Sequence, residues 1–507
     1  MTPSPRYFAL NEALRRLRGG NEYELFLRGT DEIYLKHDSI MLEACNTSFQ
    51  VHFQVGAKEF VRYYNIAQAV AGPVLAVAVN SPLLFGKSLW HETRIALFQQ
   101  AMDTRHANPH MRESTPRVSF GNGWIRESVL EIFQEDIARF RVLLGADIEE
   151  DPFEILQQGG VPKLKALQMH NGTVYRWNRP CYGITDGKPH LRIENRMFPS
   201  GPTPVDEVAN ATFWLGLVNG MAARYKDLTK LMAFDDAKAN FIAASRLGLK
   251  AQMTWLHNKT FPAQKLIEQQ LLPLAREGLQ QAGIASEDIA RYLEIIKMRA
   301  RRGQTGAEWM KRSFAVLKCK NSMSECLESL VATTLERQEQ GLPVHEWTPA
   351  ELKRDGDKKH HYQRLEQFMT TDIFTVNVDE TIDLVLNVMS WRRIRHIPVE
   401  DENNRVIGVV NYRSLLELLK AGFSSEKMLL PVSAIMQKKF LTAHPLTPTI
   451  EAIALMRKKG ETCLLVVQDE RLVGIVTQND FMNIAAHRLE TIMAAEAPLH
   501  DDETLAI

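Results

Sequence analysis

HIPVEDENNRVIGVVNYRSLLELL, at residues 396–419, has a counterpart in CLLVVQDERLVGIVTQNDFMNI, at residues 463–484. In both stretches two short apolar runs flank a polar turn, and a helical pattern follows. Each stretch therefore predicts a β-hairpin that leads into a helix. Gly408 and Gly474 hold the same position in the two copies and lie 66 positions apart. A repeat of this size predicts two small units that complete one core by packing on each other.

A matching segment precedes each copy. FTVNVDETIDLVLNVM occupies residues 374–389, and FLTAHPLTPTIEAIALM occupies residues 440–456. In the first segment Ile382, Val385 and Met389 follow the three- and four-residue spacing of an amphipathic helix. The complete repeat therefore reads β-α-β-β-α.

This tandem unit resembles the CBS-domain pair, also called the Bateman module, over about residues 366–490. The resemblance implies a regulatory adenine nucleotide (AMP, ADP or ATP) or S-adenosylmethionine bound between the repeats. It also implies a homodimer, because such pairs commonly associate. In the family an Asp within the pattern G-h-x-T-x-x-D holds the ribose, since a carboxylate accepts two hydrogen bonds from a cis-diol.

The two repeats differ at this pattern. The second keeps Gly474, Thr477 and Asp480, whereas the first has Asn411 and Ser414 at the Thr and Asp positions. We therefore expect one adenosyl site, with Thr477 and Asp480 as its contacts. The alternative is that Asp480 only caps the following helix, because Asp is a favoured N-cap residue.

Two stretches of the N-terminal two-thirds alternate polar with apolar residues. In CNTSFQVHFQV, residues 45–55, the side chains of Gln50, His52 and Gln54 share one strand face. Three large polar groups in a row predict a ligand-filled concavity; the alternative is an edge strand that faces solvent. In HLRIENR, residues 190–196, four polar residues share one strand face: His190, Arg192, Glu194 and Arg196. This face fits either a phosphate-and-metal surface or a cross-strand charge ladder.

Arg94 lies just inside a helical pattern that also contains Ile95, Leu97 and Phe98. The planar fork of an arginine at such a place binds a carboxylate or a phosphate bidentately. The alternative is a structural ion pair with Glu92 or Asp103.

The N-terminal segments resemble the glutamate–cysteine ligase family, in its plant and proteobacterial branch, over about residues 1–320. The resemblance rests on NTSFQVHFQV, AVNSPLLFGKSLWHETRIALFQQAMDTR and LRIENRMFPSGPTPVDEVANATFWLGLVN. It implies an α+β fold of the glutamine-synthetase type, whose curved antiparallel sheet holds Mg²⁺ and ATP. It further implies that a glutamate-type carboxylate is joined through an acyl phosphate to an amine, which is cysteine by family default.

Four residues match positions of the family pattern. The resemblance implies Glu194 and Gln50 as Mg²⁺ ligands, Arg196 at the γ-phosphate and Arg94 at the substrate carboxylate, so that Arg94, Glu194 and Arg196 form the catalytic group. Strand geometry alone adds two further residues from the same faces. His52 would orient a phosphate and Arg192 would neutralise one.

The chain departs from the family pattern at one point. The family domain begins with a G-x-E-x-E strand, and the nearest string here, GNEYELFL at residues 20–27, stands directly before the Gln-Val strand. Glu22 and Glu24 are therefore a poor substitute, and we expect the first part of the sheet to be missing from this sequence. This departure supports a rival hypothesis, a catalytically inactive ligase-like scaffold that senses adenine nucleotide.

Composition limits the other classes of function. The 507 residues carry 61 Lys+Arg and 61 Asp+Glu, which gives no support to a nucleic-acid binder. Five widely spaced cysteines predict neither a disulfide framework nor a zinc ribbon. No apolar run is long enough for a membrane helix, and no signal peptide is recognisable, so we expect a cytoplasmic protein. We expect four regions: a ligase-like domain (1–337), a linker (338–365), the CBS pair (366–490) and an acidic tail (491–507).

Overall fold

The computed structural model places the chain in two compact units, Met1–Lys353 and Arg354–Ile507. Each unit is described by itself. The described residues are 5–18, 23–37, 41–44, 46–103, 116–145, 147–148, 150–318, 323–352, 362–371, 373–402, 405–420 and 428–496. Among them, no helix is both long enough and apolar enough to cross a membrane.

The first unit is rich in helices and has several small sheets. Its strands are β1 (Tyr23–Arg28), β2 (Glu32–His37), β3 (Val51–Val55), β4 (Leu83–Leu84), β5 (Lys87–Ser88), β6 (Val118–Ser119), β7 (Tyr175–Arg176), β8 (Asn178–Thr185), β9 (Lys188–Asn195), β10 (Gln252–Trp255) and β11 (Lys259–Pro262). Its helices are α1 (Pro5–Leu17), α2 (Met41–Ala44), α3 (Phe60–Ala78), α4 (Thr93–Ala101), α5 (Leu130–Arg139), α6 (Pro152–Gln157), α7 (Lys165–Asn171), α8 (Pro204–Arg224), α9 (Phe234–Leu247), α10 (Ala263–Leu266), α11 (Leu272–Gln281), α12 (Ser286–Arg302), α13 (Gly306–Lys318) and α14 (Met323–Gln340).

The sheet that matters for function has the strand order β3-β9-β8, with both pairings antiparallel. One face is apolar and packs on the core. The ring of Phe53 contacts Tyr63 of α3 and Trp214 of α8, and Ile193 in the central strand is fully buried. The alternation predicted for residues 45–55 is therefore present, and it directs the polar residues of these strands to the opposite face.

Below the apolar face the core is a stack of helices. α8 and α11 approach each other closely where three glycines meet. A Cβ atom on Gly220 would lie 2.1 Å from the carbonyl oxygen of Leu274, and one on Gly278 would lie 2.1 Å from that of Gly216. Glycine is required at Gly220 and Gly278 because the two backbones touch there. This tight packing gives the sheet a rigid support.

The β1–β2 hairpin is separate from that sheet. Its Tyr23, Leu25 and Leu27 are buried, whereas Glu24 is exposed and pairs with Lys36 at 3.6 Å. The structure therefore does not bring Glu24 to the β3-β9-β8 sheet. Glu22 lies outside the described residues.

The segment predicted as a linker is partly packed. α14 extends to Gln340, a short 3₁₀ helix spans Val344–Glu346, and the Trp347 ring packs edge-on against Trp309 of α13 at 4.8 Å. The packed segment continues to Ala350, which is buried. Residues 338–350 thus include packed apolar side chains of the first unit, and the predicted bounds of the linker stay a prediction. Residues 353–361 and the tail from 497 lie outside the described residues.

The second unit repeats one motif twice. Its strands are β12 (Val376–Asn377), β13 (His396–Glu400), β14 (Val406–Asn411), β15 (Thr442–Ala443), β16 (Cys463–Gln468) and β17 (Arg471–Thr477); its helices are α15 (Ile382–Arg392), α16 (Tyr412–Lys420), α17 (Thr449–Lys459) and α18 (Gln478–Glu496). The three-stranded sheets have the orders β12-β13-β14 and β15-β16-β17. His396 and Thr462 join the two repeats through a 2.8 Å hydrogen bond. The α+β class and the tandem β-α-β-β-α unit predicted from the sequence are confirmed.

Candidate functional site

The polar face of the β3-β9-β8 sheet gathers the predicted residues. The strand register places His52, Glu194 and Arg179 in one row across the three strands. Side chains directly opposite each other on one face of an antiparallel pair lie close enough to interact. We call these three residues, together with the flanking Arg192 and Arg196, the polar face.

Glu194 is the centre of the polar face. Its side chain is only 1% exposed, yet its carboxylate accepts a hydrogen bond from Arg179 Nε at 2.7 Å and faces Arg196 Nη1 at 3.7 Å. Burial raises the pKa of Glu194, but the two guanidinium groups outweigh burial and hold the pKa below its ordinary value. The carboxylate is therefore ionised at neutral pH.

Cys181 is a further neighbour of this carboxylate. Its thiol donates to Glu194 at 3.2 Å. Burial, and then the negative charge of Glu194, raise the pKa of the thiol to about 11. Cys181 is thus a protonated hydrogen-bond donor at neutral pH.

Positive charge predominates on the polar face. Arg179, Arg192 and Arg196 stand around the single carboxylate of Glu194. A concave site with excess guanidinium charge favours a ligand with several negative charges, and the planar fork suits phosphate and carboxylate. The charges thus support the phosphate-binding alternative for the 190–196 strand. Arg179 also forms a cross-strand ion pair, which is the feature that the charge-ladder alternative predicts.

A cavity of about 750 Å³ opens beside the polar face. Arg179, Cys181 and Arg192 line one part of it, and Arg6 and Lys165 add two more cations elsewhere. This volume is in the range of small-molecule sites. The polar face therefore adjoins a space large enough for an anionic substrate.

Arg94 is buried and forms the ion pair with Glu92 that is the alternative predicted from the sequence. Its Nε donates to the fully buried Glu92 at 3.2 Å, its Nη2 donates to the carbonyl oxygen of Met197, and its guanidinium lies over the Trp177 ring. Glu92 also accepts a hydrogen bond from Ser81 Oγ at 2.6 Å. A contact of Arg94 with a substrate carboxylate stays a prediction.

His52 and Gln54 are exposed on the outer strand of the sheet, and Gln50 is exposed directly before that strand begins. Partial burial and the nearby arginines lower the pKa of His52. Its imidazole is therefore neutral at pH 7 and able to accept a hydrogen bond.

The donor atoms here allow a test of the implied Mg²⁺. Ligand atoms of His52, Cys181 and Glu194 lie within 4.8 Å of one another. Nitrogen and sulfur are poor ligands for Mg²⁺, which prefers oxygen and is bound by one or two carboxylates together with substrate phosphates. The carboxylate of Glu194 fits that second mode, and Gln50, exposed directly before β3, stays a predicted oxygen ligand. A magnesium ion bound here would therefore be one that arrives with a nucleotide.

Glu43 on α2 is a functional candidate that sequence reasoning missed. Burial raises its pKa to about 7, and the positive charges of Arg196 and Arg94 only partly oppose this shift. A carboxyl group with a pKa near neutrality beside Arg196 is suited to proton transfer. Its sequence context, MLEA, contains no signal of this environment.

We predict that Glu43→Gln changes the pH dependence of stability. The pKa of Glu43 is raised from 4.5 to about 7 in the folded state, so the wild type loses stability relative to the variant as the pH rises from 4.5 to 7. The relative loss between pH 5 and pH 8 is about 2.5 kcal/mol, and it levels off above about pH 8. Urea unfolding of the first unit at pH 5 and pH 8 measures it. The exposed Glu12→Gln is the control, and an identical pH profile for Glu43→Gln and wild type would contradict the prediction.

In the second unit, Asp480 Oδ2 accepts hydrogen bonds from both the backbone N–H and the hydroxyl of Thr477, each at 2.7 Å. Because α18 begins at Gln478, this contact closes the start of the helix as a capping box does. In the first repeat Asn411 Oδ1 caps α16 by accepting from the backbone N–H of Arg413 and Ser414. The capping alternative is thus realised in the structure, and a ribose contact by Asp480 stays a prediction.

Comparison with known proteins gives two matches to family models. The model described as glutamate-cysteine ligase family 2 matches residues 1–333, and the model of the CBS domain matches residues 365–421 and 432–487. Among curated proteins, a CBS domain-containing protein of Dictyostelium discoideum is 29% identical over 25% of this chain and 94% of its own length. An A-adding tRNA nucleotidyltransferase of Aquifex aeolicus is 27% identical over 29% of this chain, which spans only 17% of that enzyme.

Solved structures similar to this chain match about a quarter of it. AcuB of Vibrio cholerae, named for acetoin utilization, is 30% identical over 26% of this chain and 96% of its own, with a TM-score of 0.24. CBSX2, solved in complex with AMP, is 25% identical over 25% of this chain and 98% of its own, with a TM-score of 0.22.

Proposed function

The chain belongs to glutamate–cysteine ligase family 2 and carries a CBS-domain pair, and from this premise we propose that its first unit is an ATP-dependent carboxylate–amine ligase. Both resemblances found in the sequence are thereby confirmed. The observation that carries the proposal is the ionised, buried Glu194 between Arg179 and Arg196 beside a small-molecule cavity.

The chemistry assigns a part to each group of the polar face. A carboxylate oxygen of a glutamate-type substrate attacks the γ-phosphorus of ATP, the bond to the β-phosphate oxygen breaks, and ADP leaves. The acyl phosphate then loses inorganic phosphate to an attacking amine. Arg179, Arg192 and Arg196 bind and orient the phosphates by charge-assisted hydrogen bonds, as phosphoryl transfer requires. Glu194 and Gln50 would hold a Mg²⁺, which would neutralise negative charge at the phosphates.

Glu43 completes this assignment as the proton acceptor. The attacking amine must lose a proton when the amide forms. A carboxyl group with a pKa of about 7 is ionised in part of the molecules at neutral pH and takes up a proton readily. Cysteine is the acceptor amine that the family favours.

We propose that the CBS pair binds adenine nucleotide and tunes the ligase. Thr477 and Asp480 stand at the start of α18, and Asp480 Oδ1 accepts no hydrogen bond from any described residue, so this oxygen is available to a ribose. A nucleotide alters ligation only if it binds two states of the chain with different affinity. Exposed apolar side chains such as Trp391 and Ile450, 80% and 77% exposed, further support association of two copies through the pair.

The first test is turnover by the full chain. ADP release is measured with glutamate, ATP and Mg²⁺ against a panel of amines that includes cysteine. We expect ADP and inorganic phosphate to form together, dependent on both the amine and Mg²⁺. Nucleotide binding without turnover for any amine would refute the ligase proposal.

That outcome would favour a second candidate, a ligase-like scaffold that senses adenine nucleotide. One observation supports it. Among the described residues, the polar face offers a single carboxylate, Glu194, which already pairs with Arg179 at 2.7 Å. Direct ligation of several metal ions needs more carboxylates than this face provides.

A further inference from the structure

A second cavity, of about 720 Å³, lies in the first unit at the start of α3. Three chain segments line it: residues 58–65, residues 123–126 and residues 226–234. It shares no lining residue with the cavity beside the polar face. Neither the ligase proposal nor the CBS pair assigns a role to it.

Four cationic side chains line this cavity: Lys58, Arg62, Arg126 and Lys226. No ion pair joins any of the four to a carboxylate among the described residues, although Glu131, which accepts from the backbone N–H of Arg126 at 2.9 Å, interacts electrostatically with Arg126. Arg62 donates one hydrogen bond, from Nε to the carbonyl oxygen of Tyr225 at 3.3 Å, which leaves both terminal nitrogens available. Unpaired cations in one concavity repel each other, and a bound anion relieves that repulsion.

Asp227 is the one carboxylate in the lining, and it is already engaged. It accepts hydrogen bonds from the backbone N–H and the hydroxyl of Thr229, at 3.1 and 2.6 Å, and it pairs with Lys230 at 3.5 Å. Asp227 therefore does not neutralise the four cations. The cavity has a net positive charge, which is available to a ligand.

Apart from Asn65, Gly123 and Thr229, the rest of the lining is apolar and aromatic. Trp124 is half-buried and fixed by a hydrogen bond from Nε1 to the carbonyl oxygen of Met232 at 3.1 Å, and its ring packs edge-on against Phe234 at 5.2 Å. Ile125 and Leu228 are buried beside it. A rigid aromatic surface next to cations suits a ligand with a small organic body and an anionic group.

We propose that this cavity binds a phosphorylated small molecule, with its phosphate held by Arg62, Lys226, Lys58 and Arg126 and its organic body against Trp124. Phosphate is the favoured anion because cations from three separate segments line one cavity. Several donors spread around a cavity suit a tetrahedral group with several acceptor oxygens better than one planar carboxylate. The volume is also within the range of small-molecule sites.

Binding of ribose 5-phosphate to the full chain, followed by tryptophan fluorescence and by titration calorimetry, tests this proposal. We expect saturable binding whose fluorescence change disappears in Trp124→Phe. The double variant Arg62→Gln/Lys226→Gln should bind at least tenfold more weakly, because two of the four cations are gone. A second double variant is Lys58→Gln/Arg126→Gln. It changes two exposed side chains and should therefore fold as the wild type does.

Two controls separate this site from the others. Arg276→Gln removes an exposed cation from α11, away from the cavity, and should bind ribose 5-phosphate as the wild type does. Arg196→Gln removes a cation of the polar face and should leave the Trp124 signal unchanged. Three results would each overturn the proposal. They are the absence of a Trp124-dependent signal, unchanged affinity in both double variants, and equally tight binding of citrate at the same residues.

Discussion

Glu194→Gln is expected to lower amine-dependent ADP formation by at least about 100-fold, the usual loss when one preorganised electrostatic group is removed from a site of group transfer. The carboxylate is 1% exposed and ionised between Arg179 and Arg196. The amide of glutamine has a similar shape but no charge. It therefore neither holds Mg²⁺ nor fixes the two guanidinium groups that face the phosphates. Steady-state ADP release at saturating ATP and Mg²⁺ measures the loss.

A matched control is needed because Glu194 is buried in an ion pair. Removal of one partner of such a pair costs about 3–5 kcal/mol of folding free energy, so a loss of activity alone does not prove a catalytic role. Asp136 offers a second buried ion pair that has no part in the proposed site, since it is 2% exposed and paired with Arg176. Asp136→Asn should lower the free energy of unfolding to a similar degree and leave turnover per folded molecule unchanged. Equal turnover by folded Glu194→Gln and wild type would refute the assignment.

Nucleotide affinity of the second unit separates this effect from general damage. Glu194 lies in the first unit and Asp480 in the second. Glu194→Gln should therefore bind AMP as the wild type does. Loss of AMP binding in this variant would show that the substitution disturbs more than the ligase site.

Much of the polar face could be predicted from the sequence because strand periodicity is a local property. Alternation of polar and apolar residues is enough to place His52 and Glu194 each on the polar face of a strand. Arg179 could have been found in the same way. Asp186-Gly187 is a typical two-residue hairpin turn, and counting back from the Thr185–Lys188 pair puts Arg179 opposite Glu194.

Other parts of the site depend on contacts that periodicity does not encode. The sequence leaves open whether Arg94 binds substrate or pairs with Glu92, and only tertiary packing places its guanidinium against Glu92 and over the Trp177 ring. Glu43 stands in a four-residue helix without a motif, and its pKa near 7 arises only from burial beside Arg196. The charge of a group and its availability to a ligand are set by the assembled neighbours, so sequence spacing cannot predict them.

Asp480→Ala is expected to weaken binding of AMP to the full chain by about 10- to 100-fold, because hydrogen bonds to a charged group contribute about 1.5–3 kcal/mol each. Asp480 Oδ2 is occupied by Thr477, so the predicted ribose contact uses the other carboxylate oxygen. Titration calorimetry with AMP, followed by ADP and ATP, measures the affinity and identifies the favoured nucleotide.

The first repeat supplies the control for this change, because Asp480 also closes the start of α18. Loss of a helix cap typically costs about 1 kcal/mol of stability. Asn411→Ala removes the corresponding cap of α16, at the position where the ribose-binding pattern is broken. Asn411→Ala should lose at least as much stability as Asp480→Ala, because it also removes the hydrogen bond from Asn411 Nδ2 to Gln437. Only Asp480→Ala should lose AMP affinity. If both variants bind AMP equally weakly, nucleotide binding depends on the integrity of the helix starts. If Asp480→Ala binds AMP with unchanged affinity, helix capping is the sole role of this residue.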